Sequence, residues 1–395
     1  MTERLNLVTG AAGFTGSYVV RDLVARGQKV IATDLPGAFE DAEHLEALAS
    51  YGVDFDHPNI EVIPANLLDK PSLEPLFERP ITHIFHVASL YDYSASLEIL
   101  RRVNVDGTRN FLDFVLEMNT LERFIHWSTC GVFGKPYTAA NGHKVNVPFD
   151  EQSPSPKTMP YGAKEPTDTY LVNDYSVSKW EQEQMVWKEH RDNGLPLTVV
   201  RPAPIYGPGS DYGHGGIILA IAQGWVPGIP SDAKNYITTS VHVEDIAGFA
   251  VWAAEDDSTL GEDYNVVDNS IISYHEFLHY IALLTGRNLK DIPLLKLETL
   301  NPILENVAHA WTWLERTFGV PRVRVFEVQS ASYISSSYWL SNRKSLNTDY
   351  EYKYPDVHEG LKDTVAWFRE RGWLTDPKRT LIVSSGGSKV DKITA

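Results

Sequence analysis

Short apolar runs recur along the first half of the chain, and each is followed by a stretch with helical spacing. Residues 5–9, 29–33, 60–63, 81–87, 123–127 and 197–200 are brief and rich in Val, Ile, Leu and Phe. Runs of this length, bounded by Gly, Pro and Asp, read as strands. Between them, residues 14–26, 104–118 and 175–190 read as helices, the first closed by Gly27. Strand and helix in alternation predict an α/β fold with a parallel, doubly wound sheet.

The rhythm breaks twice. Residues 134–174 are rich in Pro, Gly, Asn and Thr and predict a long loop at the mouth of a site. Beyond Arg201 the pattern is less regular. Residues 241–247 lead into a helix and 264–267 read as a strand. Residues 297–318 form an amphipathic helix, with Ile303, Val307, Trp311, Leu314 and Phe318 near 3.6-residue spacing. That face is expected to pack on a core or lid a substrate pocket, and it would also suit peripheral contact with a membrane surface. Residues 381–395 are polar, contain Gly386-Gly387, and read as a disordered tail. There are no internal repeats. The expected division is a nucleotide-binding domain over 1–200 plus about 236–270, and a smaller C-terminal α/β substrate-binding domain over 201–235 and 271–380.

Composition narrows the function. The 395 residues include 43% apolar ones, enough for a large core. The net charge of −17 disfavours nucleic acid and anionic membranes as partners. Cys130 is the single cysteine, so no intrachain disulfide forms and a reducing, cytoplasmic compartment is expected. No apolar run reaches membrane-spanning length, and a strand beginning at Leu5 leaves no room for a leader. His86, His126 and His242 stand in separate strand-like segments without ligand spacing, so no metal is expected.

Three motifs carry the chemistry. Gly10-Ala-Ala-Gly13-Phe14-Thr15-Gly16 joins the first strand to the first helix, where glycines let the backbone approach a pyrophosphate. Asp34 ends the second strand. A carboxylate there accepts from both adenosine ribose hydroxyls and repels a 2′-phosphate, which favours NAD over NADP. Ser128-Thr129 ends the fifth strand, and Tyr175-Ser-Val-Ser-Lys179 opens a helix. Tyr and Lys four apart share one helix face. A free phenol has a pKa of about 10, and bringing it to about 7 takes roughly 4 kcal/mol of differential stabilisation. A lysine one turn away and an oxidised nicotinamide favour the phenolate, making Tyr175 a general acid/base. Thr129, or Ser128 in its place, would orient the reacting oxygen. Tyr161 and Lys164 form a decoy at the wrong spacing.

These residues resemble the extended short-chain dehydrogenase/reductase family, within the NAD-dependent epimerase/dehydratase superfamily. The resemblance rests on the glycine loop, His86-Val-Ala-Ser89, Asn104-Val-x-Gly-Thr-x-Asn110, Ser128-Thr129, Tyr175-x-x-x-Lys179 and Arg201-Pro-x-x-Ile-Tyr-Gly-Pro208. It implies a Rossmann fold, Tyr175 as acid/base, and Lys179 also on the nicotinamide ribose. It places Ala88 and Ser89 along the cofactor channel and Pro202 near the nicotinamide end. Asn66-Leu67 fall where the family has Asp-Leu near the adenine. Asn104 is a candidate for a proton relay or a helix cap. A homodimer built on the helices at 104–118 and 175–190 is also implied.

Departures from the family's branches bear on the substrate. Cys130-Gly131 follow Thr129 where sugar-nucleotide dehydratases have Asp-Glu, so dehydration lacks its acids. Pro204 replaces an epimerase Asn, and Ile237-Thr-Thr-Ser240 supply no cation for a diphosphate. Arg201-Pro-x-x-Ile-Tyr-Gly, Val241-His-Val and Tyr338-Trp-Leu-Ser-Asn342 with Lys344 are more similar to the 3β-hydroxysteroid dehydrogenase branch. The expected activity is hydride transfer between NAD and a bulky, largely apolar secondary alcohol or ketone. Decarboxylation after oxidation, if the substrate carries a carboxylate β to the new ketone, and a ring-bond isomerase step both stay open; the sequence decides neither. The alternatives are a sugar-nucleotide epimerase using the same Tyr and Lys, and a non-catalytic NAD-binding sensor.

Overall fold

The computed structural model describes residues 4–93, 95–134, 148–153, 171, 173–320 and 338–376. The decoy pair Tyr161 and Lys164, most of the 134–174 loop and the 381–395 tail lie outside the described residues.

Seven parallel strands form the central sheet. They are β1 (Leu5–Thr9), β2 (Lys29–Thr33), β3 (Ile60–Val62), β4 (His83–His86), β5 (Arg123–Trp127), β6 (Leu197–Pro202) and, from the second half, Asp263–Val266. The spatial order runs from Asp263–Val266 through β6, β5, β4, β1 and β2 to β3. Chain order therefore reverses beside β1, and a crevice opens there at the carboxyl ends of the strands. The register sets Leu5 beside Lys29, Asn6 beside His83, and His86 beside His126.

Alternation along each strand feeds two core layers. Val8, Phe85, Ile125 and Val200 face one layer; their neighbours Leu7, Ile84, Phe124 and Val199 face the other. Helix α1 (Phe14–Ala25) fills the first layer through Tyr18, Val19 and Leu23. Helix α2 (Ala42–Ala49) follows β2, capped by Asp41. The second layer takes Leu73 and Leu76 from α3 (Lys70–Phe77). Each fully buried side chain of this size contributes about 1.5–3 kcal/mol.

The helix expected at 104–118 begins earlier. It runs from α4 (Leu97–Leu100) through a π-helical stretch at Arg101–Asp106 into α5 (Gly107–Val115). Asn104 therefore sits inside the helix and is not its cap. The next helix, α6 (Asp174–Asn193), starts at Asn173, whose side chain accepts from Ser176 N–H, and stops at Gly194 with φ of 71°. It contributes Val177 and Trp180 to one layer and Met185 and Val186 to the other.

The second half is built from fragments. Strands β7 (Ile205–Tyr206), β8 (Gly228–Pro230), β9 (Ile237–Thr238) and β10 (Val241–His242) are short, with α7 (His214–Ala222) between the first two. Helix α8 (Val243–Ala253) returns to the sheet beside α1, in the same core layer, and leads to β11 (Asp263–Val266). Then come β12 (Ile272–Ser273), α9 (Tyr274–Leu284), β13 (Lys290–Ile292), α10 (Leu297–Phe318), α11 (Arg343–Leu346) and α12 (Val357–Glu370). The short strands pair as β7 with β10, β9 with β12 and β8 with β13. A separate cluster of Tyr206, Ile218, Phe277, Ile281, Leu361 and Phe368 holds this half.

Helix α10 has the predicted bounds, and part of its apolar face is exposed among the described residues. Ile303, Val307 and Phe318 are exposed, and so is Trp313. Its first turn is anchored: Asp232 accepts from Leu297 N–H, and Leu297 packs with Ala233 and Tyr236; further along, Ala308 is buried. Helical spacing shows that a face is apolar without showing what covers it. Among the described residues, no helix is long and apolar enough to cross a membrane.

Candidate functional site

The glycine loop lies where β1 meets α1 in the crevice. Gly10 has φ of 68°, and a Cβ there would stand 3.0 Å from the Ala88 backbone. A Cβ on Gly16 would stand 2.0 Å from the Gly10 carbonyl oxygen, so any side chain there would unfold the turn. Gly13 is the N-cap and offers no side-chain cap, which leaves the first-turn N–H groups of Phe14, Thr15 and Gly16 to face a phosphate. The loop is thus a cradle that a Cβ would fill. Phe14 is half-buried, edge-on to Tyr18.

Asp34 closes the other side of the loop. Its Oδ2 accepts from Ala12 N–H at 3.1 Å and its Oδ1 from Leu35 N–H at 2.8 Å. The Asp34 carbonyl accepts from Ala65 N–H, which brings Asn66 and Leu67 to the same edge. Asn66 Oδ1 accepts from Leu68 N–H at 3.0 Å, and the Leu67 carbonyl accepts from Asn110.

At the end of β4, Thr9 Oγ1 accepts from Ala88 N–H and bonds His86 Nδ1, whose other nitrogen meets Thr108 Oγ1. Burial first, and the Lys179 charge second, hold His86 neutral with a pKa of about 3. His126 is also kept neutral, mainly by burial. His242 instead caps α8 by accepting from Glu244 N–H.

Lys179 is 1% exposed. Its Nζ donates to Ser89 Oγ at 2.8 Å, to the Trp127 carbonyl at 2.6 Å and to Gln182 Oε1 at 2.5 Å. Burial lowers its pKa to about 7, against the opposing pull of Glu183. This one ammonium links the β4 end, the β5 end and α6. Asn104 staples the same corner: its Oδ1 accepts from Leu90 N–H at 2.6 Å and its Nδ2 donates to Ser178 Oγ at 3.0 Å.

Ser128 and Thr129 diverge. Ser128 Oγ is buried and donates to Glu183 Oε2 at 2.6 Å. Glu183 also takes Arg201 Nε and Nη2, and Arg201 meets Asp263 at 2.6 Å. Burial works against the Arg201 charge, and the two carboxylates outweigh it, so its pKa is raised. Thr129 is half-buried, and its Oγ1 accepts from Gly131 N–H at 3.2 Å. The next side chain, Cys130, has its thiol pushed up to about 12 by burial, so it supplies no thiolate nucleophile near neutrality. Pro202 is buried at the end of β6, paired with Val266.

Tyr175 is 8% exposed and packs with Leu90, Leu100 and Val103. Three further tyrosines gather there. The Tyr91 ring lies 4.9 Å and the Tyr93 ring 5.8 Å from the Tyr175 ring. Tyr212 lies 4.9 Å from Tyr91, and its hydroxyl oxygen accepts from Tyr93 N–H. Sequence reasoning missed this cluster, together with Gln182 and Glu183. Gln182 and Glu183 fall three and four residues past Lys179 on one helix, which is a readable signal. Tyr91 and Tyr93 follow Ser89 closely, but Tyr212 is brought in only by the fold.

The model of the NAD-dependent epimerase/dehydratase family matches residues 6–266. The UDP-N-acetyl-α-D-glucosaminuronate decarboxylase of Bacillus cytotoxicus is 27% identical, over 92% of this chain and 97% of that protein. Sterol demethylase protein B of Methylococcus capsulatus is also 27% identical, over 93% of this chain and 99% of that protein. The solved UDP-glucose 4-epimerase of Thermus thermophilus, in complex with NAD, superposes with a TM-score of 0.65 at 22% identity, covering 92% of this chain and 99% of that one. That last likeness is one of fold.

Proposed function

Because the chain belongs to the NAD-dependent epimerase/dehydratase family, we propose that it is an NAD-dependent dehydrogenase for a bulky, largely apolar secondary alcohol, with a steroid-like ring system as the substrate class. The observation that carries this reading is the tyrosine cluster, Tyr91, Tyr93 and Tyr212, at the Tyr175 ring. Aromatic faces suit an apolar ring system. A sugar diphosphate would call for a cation, and neither Pro204 nor the Ile237–Ser240 run provides one. Thr239 and Ser240 are turned to the Tyr338 carbonyl and to His214.

The glycine cradle and the bare N-terminus of α1 fit a dinucleotide pyrophosphate, and Asp34 fits the adenosine ribose of NAD. Bound there, the nicotinamide supplies the hydride acceptor. Tyr175 takes the alcohol proton as the carbinol C–H is lost as hydride. Lys179, one turn away, favours the phenolate when it carries its proton. Thr129, its oxygen fixed by Gly131 N–H, offers its hydroxyl proton to the reacting oxygen. Ser128 serves instead in the Glu183–Arg201 network, and Asn104 holds the loop after β4 against α6. With a carboxylate β to the new ketone, CO2 leaves, the bond pair enters the ketone as an enolate, and a proton takes its place. The sterol and decarboxylase relatives support such a substrate.

The test is absorbance of reduced nicotinamide with NAD and a panel of 3β-hydroxysteroids, their 4-carboxylates and UDP-sugars. Net NADH with the steroid members, reduced about 10²–10⁴-fold in Tyr175→Phe while NAD binding persists, supports the reading. The full-length sugar-nucleotide relative favours a second reading. NADH or interconversion with UDP-sugars alone would establish that one and sink the first.

A further inference from the structure

Far along the chain from the Tyr175 corner, two histidines and an aspartate converge. His275 and His279 stand four apart on α9, so their side chains lie one above the other on one helix face. Their rings are 4.3 Å apart. Asp291 comes from β13, the next element, which is held in place by pairing with β8. His275 Nε2 lies 2.9 Å and His279 Nε2 3.0 Å from the same oxygen, Asp291 Oδ1.

The geometry points to a divalent transition-metal site of the zinc class, with His275 Nε2, His279 Nε2 and Asp291 Oδ1 as ligands. The three atoms lie within 4.8 Å of one another. Zinc bonded at about 2.0–2.1 Å holds tetrahedral ligand atoms roughly 3.3 Å apart. Opening the present contacts by a few tenths of an ångström makes room for the ion. Two imidazoles and one carboxylate select zinc, nickel or copper over magnesium or calcium, which prefer all-oxygen shells. Both histidines are half-buried and Asp291 is exposed, so water can complete the coordination.

This site is separate from His86, His126 and His242, which stay in the core or cap α8. Its ligands sit on both sides of the turn at Thr285–Leu289, and β13 leads directly to the anchored first turn of α10. The ion would tie α9 to the root of α10. It is a structural clip, and the hydride chemistry does not pass through it.

The probe is zinc itself, titrated calorimetrically into full-length protein stripped with a chelator, with cobalt absorbance as a second readout. One ion per chain is expected. His279→Ala and Asp291→Asn each weaken binding about tenfold or more, and the double variant His275→Ala/His279→Ala abolishes it. Zinc at about a hundredfold over Kd raises the wild-type Tm by about 3 °C and leaves the double variant unmoved. Circular dichroism and NAD binding, unchanged in all variants, show that they fold and keep the outcome independent of the substrate. No zinc binding by the wild-type protein, or equal binding by the double variant, overturns the assignment.

Discussion

The corner formed by β4, β5 and α6 and the region beyond β11 treat their polar and apolar groups in opposite ways. At the first, buried polar groups form one continuous chain. It runs from Thr9 through His86 to Thr108 and Gln182, then to Lys179 and Ser89. Beside it, Ser128, Glu183, Arg201 and Asp263 form a second set. In the second region the buried polar groups form smaller local sets, such as Ser345 with Tyr352 and the Asn342 carbonyl. Asp268 Oδ2 is buried with no hydrogen-bond partner among the described residues. Leu294, Trp313 and Phe318 are exposed. A connected network of this kind favours one arrangement, although Arg201 Nη1 and both ring nitrogens of His126 have no hydrogen-bond partner among the described residues.

The sharpest way to break this comparison is to cut the network. Glu183→Ala leaves the Arg201 guanidinium buried with Asp263 alone and strips Ser128 of its acceptor. The expected loss is about 3–5 kcal/mol in urea unfolding. Trp313→Ser on α10 should stay within about 0.5 kcal/mol. If both variants cost the same, the two regions do not differ as described.

That asymmetry also explains what was legible in the sequence. The central strands are buried on both faces, so short apolar runs located them to within about two residues, and the glycine loop, Asp34 and Tyr175-x-x-x-Lys179 were visible as motifs. The network was not, because Arg201 was visible only as part of a motif and nothing local pairs it with Glu183 until the sheet brings β6 beneath α6. The start of the helix through Asn104 was missed because a π-helical turn shifts the spacing that periodicity detects. In the second half, two-residue strands such as β9 and β12 gain their pairing from residues more than thirty positions away, and local pattern carries none of that.

A smaller effect tests whether the tyrosine cluster belongs to the adaptable region. Tyr212 enters from the β7–α7 connection and touches Tyr91 and Tyr93. Tyr212→Ala should raise KM for an apolar alcohol about tenfold, equivalent to about 1.4 kcal/mol, with kcat and the KM for NAD within about twofold. Equal rises in both KM values would mean that the cluster supports the whole crevice and not one substrate face.

The finest distinction is in pH. Asp268 follows β11 and is 3% exposed. Burial, reinforced by the charges of Asp356 and Asp245 and opposed by hydrogen bonds from Ser270, raises its pKa to about 8. The native carboxyl therefore keeps its proton up to about pH 8, while the unfolded one loses it near about pH 4. Between these values the native state binds more protons, so this group's contribution to stability falls as pH rises and is lost by about pH 8. Asp268→Asn cannot ionise and removes that slope. The variant should gain on the wild type by at least about 1 kcal/mol from pH 5 to pH 8, read as the difference between two urea midpoints at constant m. The absolute value at pH 5 is not the criterion, because the amide replaces an oxygen with a donor. Parallel pH profiles would mean that Asp268 is already ionised in the native state, with its Oδ2 solvated, and the contrast between the two regions would lose its clearest member.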